Sequence, residues 1–217
     1  MKAKGVIFDF DGCIVDSEQI YLESLVDYFS SKGLSCGKKD FVKYLGCPNG
    51  DIINRMKIDF SNVLSGMTSQ EINGEQSVAF DKVLNSSEIL PMDGLESFLK
   101  YGKDNNVIFA IATSSGSQYI DFMLNELNFN KYFDLITTCD DITKGKPDPQ
   151  IYNMTAEKLN IDKNDLVIIE DSTNGIAAAK ASGIYTIGYE GSSIKQDTSQ
   201  ADLIIDSYNS PKIYELV

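Results

Sequence analysis

Short apolar runs that stop at polar clusters set the rhythm of this chain. Gly5, Val6, Ile7 and Phe8 lead into Asp9, residues 107–112 into Thr113-Ser114-Ser115-Gly116, residues 166–169 into Glu170-Asp171-Ser172, and residues 184–188 into Tyr189-Glu190. Runs this short, rich in β-branched and aromatic residues and apolar throughout, predict strands buried on both faces. Residues 135–138 and 203–205 repeat the pattern more faintly. Between these runs, helical patterns cover 94–103, 117–127, 149–159 and 174–181, the last closed by Gly183 as a helix stop. Strands alternating with helices predict an α/β fold with a Rossmann-like doubly wound parallel sheet. Ligands of such sheets gather at the carboxyl ends of the strands.

The stretch from Ser17 to about Asn85 breaks this alternation. It carries amphipathic segments at 18–31, 40–45, 51–58 and 69–84 and hardly any strand signal, so it predicts a helical insert after the first strand. Pro91 and Gly94 then punctuate the return to the alternating pattern. The resulting division is an α/β core of residues 1–16 and 88–217 with an inserted α-helical domain at 17–87.

Composition narrows the chemistry. No stretch approaches the roughly 18 apolar residues that cross a bilayer, and Phe8 runs into acids where a signal peptide would have a cleavage site, so a cytoplasmic protein without membrane partners is expected. A net charge of −13 repels phosphate backbones and makes nucleic acid a poor partner. Cys13, Cys36, Cys47 and Cys139 form no C-x-x-C pair and suit reduced thiols. The chain has no histidine, which removes imidazole acid-base chemistry and leaves proton transfer to carboxylates.

Each polar cluster offers a distinct chemical part. Asp9-Phe10-Asp11-Gly12 places two carboxylates at a strand end, pointing to one side if the backbone stays extended. Alone, such a pair is commonly a turn former. The cluster Thr113-Ser114-Ser115-Gly116 presents hydroxyls and N–H groups at a helix entrance, which suits an anion as well as a cap. Lys146 precedes Pro147 and Pro149, so its ammonium sits on a stiffened loop. Glu170 and Asp171, directly after Val167-Ile168-Ile169, are hard oxygen ligands for a cation.

Four ordered signatures carry a resemblance: D-F-D-G-C-I-V-D-S at 9–17, A-T-S-S-G at 112–116, G-K-P-D-P-Q-I-Y at 145–152 and E-D-S-T-N-G-I-A-A-A-K-A-S-G at 170–183. With them the chain resembles the haloacid dehalogenase superfamily, in the branch of β-phosphoglucomutase and related sugar phosphatases, whose helical cap matches the insert in place and size. The resemblance implies a phosphatase acting on a small phosphorylated metabolite, with sugar phosphates as the best-matched class and a β-phosphoglucomutase-like isomerase as the alternative. It implies Asp9 as the nucleophile that becomes an aspartyl-phosphate and Asp11 as the general acid-base. It assigns Thr113, Ser114 and Lys146 to the phosphoryl oxygens. It assigns Mg2+ to the Asp9 carboxylate, the Asp11 main-chain carbonyl and Asp171, with Glu170 in or beside the coordination shell. A monomer is the expected state. Tyr21 falls where the related mutases carry a histidine, the sole arginine is Arg55, and residues 46–50 form a neutral turn without a phosphate clamp, so hydrolysis is favoured over isomerisation. Cys13, where relatives commonly have Thr or a small apolar residue, is assigned no catalytic role.

Overall fold

The computed structural model describes residues 2–45 and 49–217, and the side chains of all of these except 49–51. Of the segment 46–50, expected to be a neutral turn, residues 46–48 lie outside the described residues, and Asn49 and Gly50 belong to a helix. The chain divides into two compact units, one of Met1–Asp16 with Ile89–Val217 and one of Ser17–Glu88.

The first unit is a parallel sheet of six strands: β1 (Gly5–Phe8), β2 (Ile108–Ala112), β3 (Leu135–Thr137), β4 (Leu166–Glu170), β5 (Tyr185–Tyr189) and β6 (Leu203–Ile205), in the order β3-β2-β1-β4-β5-β6. All four residues of β1 are buried, as a strand flanked by β2 on one edge and β4 on the other must be. Alternation along β1 divides the core between the two faces. Ile7 joins Ala110, Ile168 and the helix residues Ile151, Tyr152, Ala178 and Ala179. Phe8 meets Phe98, Phe109, Phe133 and Tyr208 at ring separations of 5.7–6.3 Å.

The second unit is helical, with α1 (Glu18–Ser31), α2 (Asn49–Asp59), α3 (Ser61–Leu64) and α4 (Ser69–Ser86). Thr68 caps α4 in a reciprocal box with Glu71, and Phe29, Phe41 and Phe60 pack at 4.4–5.6 Å in its interior. The expected amphipathic helix over 40–45 is instead two 3₁₀ turns, Lys38–Asp40 and Val42–Tyr44. Phe41 and Tyr44 share a side in a 3₁₀ turn as well as in an α-helix, so the apolar pattern does not separate the two.

Five helices complete the first unit: α5 (Leu95–Asp104), α6 (Ser117–Leu127), α7 (Gln150–Leu159), α8 (Thr173–Ser182) and the short α9 (Pro211–Tyr214). The registers Phe8↔Ile111 and Phe8↔Ile169 bring the carboxyl ends of β1, β2 and β4 to one level. Asp9, Thr113 and Asp171 each follow one of those ends directly or by one residue, which sets them along one edge of the sheet.

Candidate functional site

Three buried carboxylates meet at that edge. Asp9, Glu170 and Asp171 each place an oxygen within 4.8 Å of the others. Asp9 is fixed by its own N–H, which donates to the Ile169 carbonyl at 2.9 Å, and stays 7% exposed. Lys146 Nζ donates to Asp9 Oδ1 at 2.7 Å and to Glu170 Oε1 at 2.5 Å, with its side chain 6% exposed. Lys146 thus meets these strand-end acids in space, although the residues lie far apart in sequence.

Glu170 is held more tightly than sequence suggests. Besides Lys146, its Oε1 accepts the Tyr152 hydroxyl at 2.8 Å, and its Oε2 accepts the Ser172 N–H and hydroxyl, each at 3.0 Å. Two glycines make the room. A Cβ on Gly175 would lie 1.8 Å from Glu170 Oε1, and one on Gly12, itself at φ +82°, would lie 1.9 Å from Asp171 Oδ2. Both carboxyls therefore occupy space that any other residue would fill.

The electrostatics follow from burial and charge count. Burial pushes the Asp9 carboxyl up to about 7, with Glu170 and Asp11 acting in the same direction and Lys146 against them. Burial alone would lower the Lys146 ammonium, yet the Asp9 and Glu170 carboxylates outweigh it and hold the group well above its ordinary value. Three carboxylates against one ammonium leave a negative excess in a dry setting, and an all-oxygen donor set of this kind fits a hard divalent cation. Burial also pushes the Cys13 thiol well up, with Asp171 and Asp9 adding to it.

Asp11 accepts the Ser115 hydroxyl on Oδ2 at 2.5 Å and the Tyr119 hydroxyl on Oδ1 at 3.1 Å. Thr113 is fully buried, its N–H donating to the Thr137 carbonyl and its Oγ1 accepting the Ser115 N–H at 3.0 Å. Ser114 stands exposed on the same turn. Sequence reasoning missed Tyr119, Tyr152 and Ser172 as partners of the acids. Tyr152 lies within the quoted 145–152 signature and Ser172 directly follows the acid pair, but a hydrogen-bond partner leaves no periodic trace.

Comparison with known proteins bears on this arrangement. A phosphorylated carbohydrates phosphatase of Thermotoga maritima is 30% identical over 186 residues, covering 85% of this chain and 83% of that protein. A validoxylamine A 7'-phosphate phosphatase of Streptomyces hygroscopicus subsp. limoneus is 25% identical over 202 residues, covering 93% of this chain and 92% of that protein. In fold, a β-phosphoglucomutase from Clostridium difficile superposes with a TM-score of 0.78 at 22% identity, over 98% of this chain and 96% of that one. Residues 6–189 match the sequence profile of the haloacid dehalogenase-like hydrolases, a span that takes in all the acids above and Lys146, and the chain belongs to that family.

Proposed function

We propose that this hydrolase is a magnesium-dependent phosphatase that cleaves a small phosphorylated metabolite, a sugar phosphate as the best-matched class, through an aspartyl-phosphate on Asp9. The observation that carries the reading is the buried contact of Lys146 with both Asp9 and Glu170 beside Asp171. An anionic nucleophile and an anionic substrate repel each other, and these groups offer the means to offset that repulsion.

In this reading Asp9 attacks phosphorus, and the P–O bond to the leaving group breaks as the new bond forms. Asp11 gives a proton to the leaving oxygen and then takes one from the water that opens the aspartyl-phosphate. Thr113, Ser114 and Lys146 hold the phosphoryl oxygens. Asp9, Asp171 and the Asp11 main-chain carbonyl would hold Mg2+, which supplies charge neutralisation. Glu170, whose oxygens already receive Lys146, Tyr152 and Ser172, serves beside that shell by fixing Lys146. The helical unit Ser17–Glu88 is read as the element that selects the substrate, and its removal should reduce turnover of the true substrate more than that of a small aryl ester.

The test is turnover of p-nitrophenyl phosphate. Activity should vanish with EDTA, return with Mg2+ and be lost in Asp9→Asn; equal turnover under any of these changes refutes the mechanism. Water as acceptor is supported by the absence of histidine and by a single arginine, Arg55, for a second phosphate. With β-glucose 1-phosphate and a trace of glucose 1,6-bisphosphate, rapid formation of glucose 6-phosphate with little free phosphate would replace the hydrolase by the isomerase.

A further inference from the structure

Lys146 holds Asp9 and Glu170, whereas Asp11 takes its hydrogen bonds from hydroxyls, and a general acid acts only when its carboxyl lies within hydrogen-bond reach of the leaving oxygen. Its carboxyl, on a partly exposed loop residue, has torsional freedom that must be removed by contacts. Two hydroxyls do this, one on each oxygen: Ser115 on Oδ2 and Tyr119 on Oδ1.

Both donors stand on a rigid mount. Ser115 is tied by its N–H to Thr113 Oγ1, and its carbonyl accepts the Cys139 N–H at 3.3 Å. Tyr119 lies in the first turn of α6, whose start is pinned from the neighbouring loop by Asp140 Oδ2, the acceptor of the Ser117 N–H at 2.9 Å and of its hydroxyl at 2.8 Å. The Tyr119 ring stands edge-on to the fully buried Phe10 at 6.0 Å. The ring is set by packing, and its oxygen then falls on the carboxyl of the residue next to Phe10.

We infer that Tyr119, together with Ser115, is a positioning residue that fixes the carboxyl of Asp11 for proton transfer to the leaving group. The inference rests on the phosphatase reading, and the experiment separates the two. Asp9→Asn abolishing turnover keeps that reading in place whatever Tyr119 does.

The readout is kcat/KM for p-nitrophenyl, phenyl and benzyl phosphates in the wild type and in Tyr119→Phe, which keeps the ring and removes the oxygen. This ratio ends with formation of the aspartyl-phosphate, the step in which Asp11 acts as the acid. The p-nitrophenolate leaves without a proton, so its ester should change by no more than about twofold, whereas the benzyl ester should fall about tenfold, the scale of one hydrogen bond to a charged group. The dependence on leaving-group basicity steepens, and the thermal midpoint stays near that of the wild type. Ser115→Ala should steepen it in the same way and carries the test if Tyr119→Phe does not fold. Equal losses on all three esters, or no loss, overturn the inference, because a merely structural contact lowers every rate together.

Discussion

Gly175→Ala is an ordinary helix substitution with a sign set by the site. In an open helix interior the change stabilises by about 0.5–1 kcal/mol, since alanine loses less backbone freedom than glycine on folding. At Gly175 the new Cβ would lie 1.8, 1.9 and 2.1 Å from Glu170 Oε1, Cδ and Oε2. The carboxyl would have to retreat by more than about 1 Å to reach ordinary contact. It is fully buried and held by Lys146, Tyr152 and Ser172, so retreat breaks at least the Ser172 pair. Hydrogen bonds to a charged group contribute about 1.5–3 kcal/mol each, so loss of the two from Ser172 outweighs the helix gain and leaves a net loss of about 2–5 kcal/mol. For a protein of this size that lowers the thermal midpoint by about 4–20 °C. Lys146 moves with Glu170, and a displacement of about 1 Å in a positioning group reduces turnover by about 100-fold. Gly74, inside α4 with nothing within 4 Å of its added Cβ, is the control, and Gly74→Ala should raise the midpoint. The assays are scanning calorimetry and p-nitrophenyl phosphate turnover. A Gly175→Ala protein as stable as Gly74→Ala, with kcat/KM within about threefold of wild type, would refute the placement of Glu170 against α8.

Tyr152→Phe removes a hydroxyl from Glu170 Oε1 and should lower stability by about 1–2 kcal/mol with a loss of turnover, measured by urea unfolding and kinetics. Millimolar Mg2+ should raise the thermal midpoint of the wild type and lose that effect in Asp171→Asn, because a ligand bound only to the folded state stabilises it. Asp202 feels burial that raises its carboxyl, but hydrogen bonds from Lys180 and the Thr186 N–H outweigh this and hold it below its ordinary value. Its contribution is present above the unfolded carboxylate range and lost as pH falls through the lower folded value, so Asp202→Asn should be less stable than wild type near neutrality and converge with it in acid, as thermal melts across pH will report.

The sequence makes the sheet legible because buried parallel strands are apolar without interruption. β1 and β4 stand out for that reason, while β3 and β6, three residues each with partly exposed positions, leave only faint runs. The acids are legible as strand-end clusters, since topology converts four distant clusters into one edge. The hydroxyls that hold them are not. Tyr119 faces Asp11 from the first turn of α6, a position that hydrophobic periodicity reads as an ordinary helix residue, and nothing local marks the meeting of residues 108 positions apart. Gly175 is similar: within a stretch of alanines it reads as a weak helix former, and only the carboxyl of Glu170 gives it a reason.

Burial of the acids gives the site its character. In the proposed reaction an exposed Asp9 would be ionised at neutral pH and a hydrated, weak nucleophile, whereas the buried one, pushed up to about 7, would gain reactivity but lose part of its anionic population. Lys146 restores some of that population, and its second contact, to Glu170, fixes where it stands. Glu170 itself adds negative charge beside Asp9, so the device that orients the lysine also raises the carboxyl it serves. The two effects would be reconciled if Asp171 shared a divalent cation with Asp9, as the proposed function has it: the ionised form would then be favoured, and a phosphoryl dianion would no longer meet a net negative edge. A protein with a net charge of −13 could in this way bind an anion through a few desolvated groups.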